Sequence, residues 1–229
     1  MTGANGGLGQ ALCKILAEQA VAVLPIARLD ADLSNRQERQ QVIHLIEKHA
    51  PDLVINNAGF TLYGDCLSHP LQAQMDIFEV NAAALLEISL AAALALRRNQ
   101  RPGVIVNVSS IAGEFSFPGM AVYAASKAFV TSFSQSFDAE LQPYQIRVLA
   151  SLPGQIKTAF ADKAAKKQIH KRRTAMDPEA VAREIWRQIQ RRERVRIIDW
   201  RYRWMYRLAR LFPKRLFEGP LYREILRRM

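Results

Sequence analysis

Strand-like and helix-like segments alternate along almost the whole chain, and this alternation constrains the fold more than any other feature. GLGQALCKILAEQ reads as a helix, AVAVLPIA as a strand, and SNRQERQQVIHLIEKHA as a helix with Ser34 or Asn35 as its N-cap. DLVINNAG is a strand running into a turn. A long helix follows, MDIFEVNAAALLEISLAAALALRR, and then GVIVNVSS, whose near-continuous apolar run suits a strand buried on both faces. GMAVYAASKAFVTSFSQSFDAELQ is helical, IRVLASLPG is a strand, and DPEAVAREIWRQIQRRE is a helix capped by Asp177 and entered through Pro178. VRIID makes a last short strand. This order implies an α/β chain, a Rossmann-type doubly wound parallel sheet with helices on both faces.

Two places break the layout. The glycine-rich turn in MTGANGGLG is of a kind that follows a buried strand, yet only Met1 precedes it. The first strand is therefore expected to be missing. Because that strand would lie in the middle of the sheet, the simplest expectation is that translation begins upstream of Met1, the alternative being a genuinely truncated, poorly stable protein. Between AVAVLPIAR and LDADLSN there is no room for a helix, since a parallel crossover takes about a dozen residues or more. One helix–strand unit is expected to be shortened there.

A chain of 229 residues, 49% hydrophobic and 23% charged, can bury the core of one such domain. No run of about 18 apolar residues predicts a spanning helix, and no basic segment leading into an apolar stretch predicts a secretory leader. A cytoplasmic protein is expected. Cys13 and Cys66 make no disulfide framework, and neither they nor the four histidines have metal-ligand spacing, so no metal is expected. The charge is uneven. Residues 163–229 hold 21 Lys+Arg against 7 Asp+Glu, whereas the first 162 hold 11 against 14, within a net charge of +11.

Four short stretches carry chemistry. In TGANGGLG the glycines permit a tight turn and close approach of a ligand, and the helix beginning near Gly7 aims free N–H groups at phosphate. Taken alone, this is also an ordinary glycine turn. In YAASK, Tyr123 and Lys127 are four apart on one helix face. A neighbouring ammonium stabilises a phenolate and is expected to lower the phenol pKa, although the same spacing describes a surface pair. Ser110, in NVSS, ends a strand thirteen residues before Tyr123, placed either to hold a substrate oxygen or simply to make a turn. NNAG ends another strand at the carboxyl edge, where such sheets bind ligands.

In this order the motifs resemble those of the short-chain dehydrogenase/reductase family, over roughly residues 1–200. The cofactor motif TGxxxGxG matches Thr2, Gly3, Gly7 and Gly9, NNAG matches Asn56–Gly59, and YxxxK matches Tyr123 and Lys127. The helix asparagine matches Asn81, the serine Ser110, and PGxxxT matches Pro153, Gly154 and Thr158. The resemblance implies hydride exchange between a nicotinamide dinucleotide and a carbonyl or hydroxyl carbon, with Tyr123 moving the proton. Lys127 would hold ribose hydroxyls and depress the Tyr123 pKa, Ser110 would hold the substrate oxygen, and Asn81 would anchor a relay water. The cofactor contacts it implies are Thr2, Gly3, Asn5, Gly7, Leu8, Gly9, Asn57, Ala58, Gly59, Tyr123, Lys127, Pro153, Gly154, Ile156 and Thr158, with Asp32 at the adenine. Arg28, at the end of AVAVLPIAR, favours NADP(H) over NAD(H), because it can take a 2′-phosphate. The compressed segment VLPIARLDADLSN is similar to that of dTDP-dehydrorhamnose-type reductases. The family's habit of pairing helices implies a homodimer or homotetramer.

The chain divides into an oxidoreductase domain over 1–198 and a basic amphipathic tail over 199–229. In WRYRWMYRLARLF, Arg203, Arg207 and Arg210 fall on one face, beside a stripe of Trp204, Leu208, Leu211 and Phe212 that Pro213 ends. LYREILRRM repeats the arrangement. An interfacial helix on anionic lipid and a lid over the substrate pocket are both open readings, and they are compatible. No nucleic-acid partner is expected. Apolar residues near the pocket mouth point to a lipophilic small-molecule substrate, such as an acyl chain, sterol or long-chain alcohol. The alternative from another class is a non-catalytic nucleotide-binding or membrane-associated scaffold that retains the fold.

Overall fold

The computed structural model describes residues 1–165 and 175–209, with Gly219 and Arg223. Four parallel strands, β1 (Leu53–Asn56), β2 (Gly103–Val108), β3 (Ile146–Leu152) and β4 (Val195–Ile197), form one sheet in the order β1-β2-β3-β4. The register pairs Val54 with Ile105, Val106 with Leu149 and Ala150 with Val195. The α-helices are α1 (Gly7–Glu18), α2 (Arg36–His49), α3 (Leu71–Phe78), α4 (Ala84–Arg98), α5 (Ala121–Leu141), α6 (Phe160–Ala165), α7 (Pro178–Arg191) and α8 (Trp200–Ala209), with short 3₁₀ and π turns among them.

Successive strand residues feed opposite cores. Val54, Ile105 and Val148 pack with α2, α4 and α5, while their neighbours Ile55, Val106 and Leu149 pack with α1 and α7. Alternate side chains of a strand point to opposite faces, so a sheet clothed on both sides needs the unbroken apolar runs seen in the sequence. The helix running from Leu71 to Arg98 has the length and hydropathy to cross a bilayer, yet just over half of its apolar window is buried within the molecule. Its small residues Ala84, Ala91, Ala92 and Ala95 lie in the core.

Across the sheet, a buried polar network ties the strands in register. The Asn56 amide donates to Ser89 Oγ (3.0 Å) and Asn107 Oδ1 (2.9 Å), and the Asn107 amide donates to Ser134 Oγ (2.9 Å). A one-residue slip of β1 against β2 would strand these groups in the core.

Residues 20–27 depart from the strand expected there. Only Ile26 pairs, in a parallel bridge to Thr2. A strand needs a neighbour along its length, and here the neighbour is Met1–Thr2 alone. Ile26 N donates to Met1 O (2.8 Å), the Met1 ammonium donates to Leu24 O (2.9 Å), and Thr2 N donates to Ile55 O (3.0 Å). Thr2 thus lies between Ile26 and β1, where the strand expected to be missing would run. The helix expected over 75–98 begins earlier and widens into a π turn at Glu79–Ala83. Asn35, not Ser34, caps α2, accepting from Gln37 N (2.9 Å). In the tail, α8 matches the expected first helix through Ala209, and Arg210, Leu211, Phe212, Pro213 and all of LYREILRRM except Arg223 lie outside the described residues.

Candidate active site

The loop before α1 is built for a close-approaching ligand. Gly3 adopts φ +65°, a conformation that favours glycine, and a Cβ there would lie 2.8 Å from Ala58 Cα. A Cβ at Gly9 would lie 2.1 Å from Gly3 O, so α1 can start against the turn only with glycine at that position. Thr2 Oγ1 accepts from Asn57 N (3.1 Å) and Ala58 N (3.2 Å), and the Asn57 amide donates to Thr2 O and Gly3 O, latching the loop to the end of β1. No side chain caps α1 at Gly6, so the first-turn N–H groups of Gly7, Leu8 and Gly9 are left for an outside acceptor. Leu8 turns its side chain into the core, and Asn5 is exposed on the turn. Thr158 closes the opposite wall: a Cβ at Gly7 would sit 2.6 Å from its Cγ2.

At the outer end, the Arg28 guanidinium donates to Asp32 Oδ2 from Nε (3.1 Å) and Nη2 (2.9 Å). The Asp32 carboxylate also accepts from Ser34 N and Oγ. Burial alone would raise its pKa, but these bonds from Ser34 and Arg28 hold it below the usual carboxylate value. Arg28 remains largely exposed, and its partner Asp32 keeps the side chain at the rim.

At the inner end, Ser110, Tyr123, Lys127 and Asn81 converge in the interior. The Ser110 hydroxyl accepts from Ala112 N (3.2 Å) and lies close enough to the Tyr123 phenol to favour its ionised form. Lys127 Nζ donates to Val108 O (2.8 Å) and lies 5.9 Å from the Tyr123 ring centre. Asn81 donates to Phe60 O (3.0 Å) and Ser126 Oγ (3.2 Å) and accepts from Phe60 N (3.0 Å), holding the π turn against the strand end. A Cβ at Gly59 would meet Asn81 Oδ1 at 3.0 Å and Lys127 Nζ at 3.4 Å. Gly3 thus abuts Ala58, and Gly59 abuts Asn81 and Lys127, so these residues follow one another from the glycine loop towards the phenol.

The electrostatics correct one expectation. Burial, the largest effect, together with the nearby Tyr63, pushes the Tyr123 phenol up to about 12, and the Ser110 hydroxyl nearby offsets only part of this. Burial also pulls the Lys127 ammonium down to about 8. The expected depression of Tyr123 by Lys127 is not present in this state: the ammonium donates to a carbonyl, and desolvation prevails.

Other parts of the site come from residues that sequence patterns did not single out. Tyr63, Met120 and Tyr123 pack with Phe60, Phe117 and Phe160, and the Phe160 ring lies 5.9 Å from that of Tyr123. Phe60 directly follows NNAG and Phe160 closely follows Thr158, so adjacency to the motifs was the available signal. Pro153 O accepts from Ile111 N (3.0 Å), joining the PG segment to the Ser110 loop. Ile156 bridges to Met176. The Tyr202 ring of α8 covers Gly154 so closely that a Cβ there would lie 2.0 Å from it. Arg39, at 3% side-chain exposure, donates to Leu33 O (3.0 Å), Glu79 (2.6 Å) and Glu87 (3.1 Å), linking the Asp32 turn to the π turn that carries Asn81.

This cleft fits a dinucleotide on its own geometry. Its uncapped helix N-terminus suits a pyrophosphate, and a buried ammonium with three donors has Val108 O as its one hydrogen-bond acceptor among the described residues. The family model for short chain dehydrogenases matches residues 25–169. Nodulation protein G of Rhizobium meliloti is 33% identical over 192 residues, 75% of this chain and 78% of that one. A 3-ketodihydrosphingosine reductase of Bacteroides thetaiotaomicron is 30% identical over 178 residues, 71% of this chain and 65% of that one. Among solved structures, a short-chain dehydrogenase from Sphingobium yanoikuyae in complex with NADPH superimposes with a TM-score of 0.78 at 25% identity, covering 89% of each chain. The chain belongs to the short-chain dehydrogenase/reductase family and is an oxidoreductase that uses a nicotinamide dinucleotide to interconvert a carbonyl and a hydroxyl group.

Proposed function

We propose that the chain acts on a lipophilic carbonyl or alcohol with NADP(H) in preference to NAD(H), and that Tyr123 gives or takes the oxygen-bound proton. The observation that carries this reading is the buried Tyr123 phenol, beside Ser110 and beneath an aromatic wall, with the Lys127 ammonium 5.9 Å from its ring centre. When bound, the dinucleotide supplies or accepts the hydride. Ser110 holds the substrate oxygen next to the phenol. Lys127 turns its remaining donors to ribose hydroxyls. The Asn81 side chain is engaged with Phe60 and Ser126, so the water it is expected to anchor falls to the main chain of the π turn.

The finer assignments follow from the walls of the site. Phe60, Phe117 and Phe160 favour an apolar substrate body, and the sphingosine-type reductase named above is similar in sequence. Arg28, exposed at the rim, is free to turn from Asp32 to a 2′-phosphate. Leu90 and Leu94 remain exposed on α4, and Phe129 and Phe133 stack at 5.8 Å on α5, surfaces suited to pairing two copies into a dimer or tetramer. The unit of 1–198 carries the chemistry. The basic segment from 199 makes peripheral contact with anionic membrane from the cytoplasmic side.

The test is Tyr123→Phe. Turnover of lipophilic ketones with NADPH is expected to fall by about a thousandfold, with NADPH affinity kept. Unchanged turnover would remove Tyr123 from the chemistry.

A further inference from the structure

Helix α8 has two working faces. Tyr202 and Tyr206 point inward: the Tyr202 ring lies over Gly154, and the Tyr206 ring meets Phe115 edge-on at 6.4 Å. Gly154 belongs to the PG segment of the cofactor cleft, and Phe115 follows the turn that begins at Ser110. One helix therefore clamps a loop on the dinucleotide side and a loop on the substrate side. Arg203, expected on the cationic face, also turns inward. Its Nη2 reaches toward Ile198 O, and its buried Nε has no hydrogen-bond partner among the described residues.

The outer face carries Trp200, Trp204, Met205 and Leu208, with exposures of 66%, 58%, 41% and 55%. These positions recur at helical spacing opposite Tyr202 and Tyr206. Arg201 and Arg207 flank them, with the Arg207 guanidinium 5.6 Å from the Trp204 ring centre. Beside Trp200, a cavity of ≈ 530 Å³ between α7 and α8 is lined by Arg183, Arg187, Arg201 and Arg203 against Glu184 and Asp199. Tryptophan, aliphatic and arginine side chains on one helix face match the headgroup boundary of an anionic bilayer, where the apolar groups insert and the cations meet phosphate.

We infer that α8 couples docking on an anionic lipid surface to the cofactor cleft. Lipid on the outer face holds the helix in place, and the inner face then holds the Gly154 and Phe115 loops through Tyr202 and Tyr206. This rests on the dinucleotide site and membrane contact proposed above and adds a linkage between them. A coupling free energy acts equally in both directions, so the factor by which vesicles tighten NADPH must equal the factor by which NADPH tightens vesicles.

The experiment uses the full chain, NADPH fluorescence, and vesicles of phosphatidylcholine alone or mixed with phosphatidylglycerol. Mixed vesicles are expected to bind, blue-shift the tryptophan emission and lower the NADPH Kd by about fivefold or more, with the reciprocal gain in vesicle affinity at saturating NADPH. Trp204→Glu should abolish vesicle binding while leaving NADPH affinity in solution intact. Tyr202→Ala, or Tyr206→Ala if the first variant misfolds, should keep vesicle binding and lose the coupling. Vesicle binding with an unchanged NADPH Kd overturns the coupling while sparing the membrane contact. No binding to mixed vesicles overturns that contact and the coupling with it. Failure to bind NADPH under every condition removes the cofactor reading beneath both.

Discussion

Replacing Arg39 with methionine tests how the two ends of the cleft are held together. Its guanidinium is buried, with 3% of the side chain exposed, whereas Glu79 and Glu87 keep 31% and 28%. Removing one member of a buried ion pair costs about 3–5 kcal/mol, but water reaching both stranded carboxylates reduces this to about 2 kcal/mol. The Leu33 carbonyl also loses its donor, for about 1 kcal/mol more. A total near 3 kcal/mol lowers Tm by about 6–12 °C in a domain of this size. A second readout separates position from stability. Leu33 adjoins Asp32 in the outer turn, and Glu79 opens the π turn that carries Asn81. Well below its melting temperature, the variant should bind NADPH several-fold more weakly and also turn over more slowly. Arg39→Lys should recover part of the stability but not the geometry, because a single ammonium cannot span three acceptors as the planar fork does. A Tm within about 2 °C of the parent, with NADPH affinity and turnover unchanged, would refute the reasoning.

Three further outcomes are expected. Arg28→Ala should weaken NADPH binding by about tenfold or more, the worth of one charge-assisted bond, and spare NADH; equal loss for both cofactors in paired titrations would reject the 2′-phosphate contact. Gly7→Ala should weaken binding of either dinucleotide by about tenfold with little change in Tm, because the new methyl would meet Thr158 at the cleft wall and not in the core; calorimetry and titration on one preparation check both. Lys127 is protonated below its folded pKa of about 8, and ribose oxygens favour that protonated form, so NADPH Kd should rise as pH climbs through about 8. In Lys127→Met that pH dependence should vanish, and a surviving slope would assign it to another group.

The motifs were legible because a parallel sheet places successive strand ends along one edge, so polar residues closing apolar runs predict a shared site. Thr2, Gly59, Ser110 and Gly154 reach that edge from four separate segments. Pairing was less legible, being non-local: VAVLPI has the composition of a strand, but only Ile26 finds a partner, in Thr2. The aromatic wall was hidden for the same reason, since Phe60, Tyr63, Phe117 and Phe160 meet only after the chain has folded. A helical wheel separated the faces of α8 but left Arg203 on the wrong one, because Ile198 O and the Asp199 cap draw it inward.

The direction of the Tyr123 shift follows from the same limit. Spacing on a helix places an ammonium near a phenol, but it says nothing about what else surrounds them. Here the same enclosure acts on both groups, disfavouring the phenolate and the ammonium alike, and Lys127 Nζ donates to Val108 O instead of to the tyrosine. In carbonyl reduction, the role proposed for Tyr123 needs the phenol proton in place. A phenol held near 12 keeps its proton across the neutral range, as a proton donor must until negative charge develops on the substrate oxygen. Ser110 Oγ is fixed by its own loop through Ala112 N, which would place a second hydroxyl beside the phenol for that oxygen. Alcohol oxidation makes the opposite demand. It needs positive charge brought close to the phenol, and on the proposed reading Lys127 would supply it once other acceptors draw its Nζ from Val108 O.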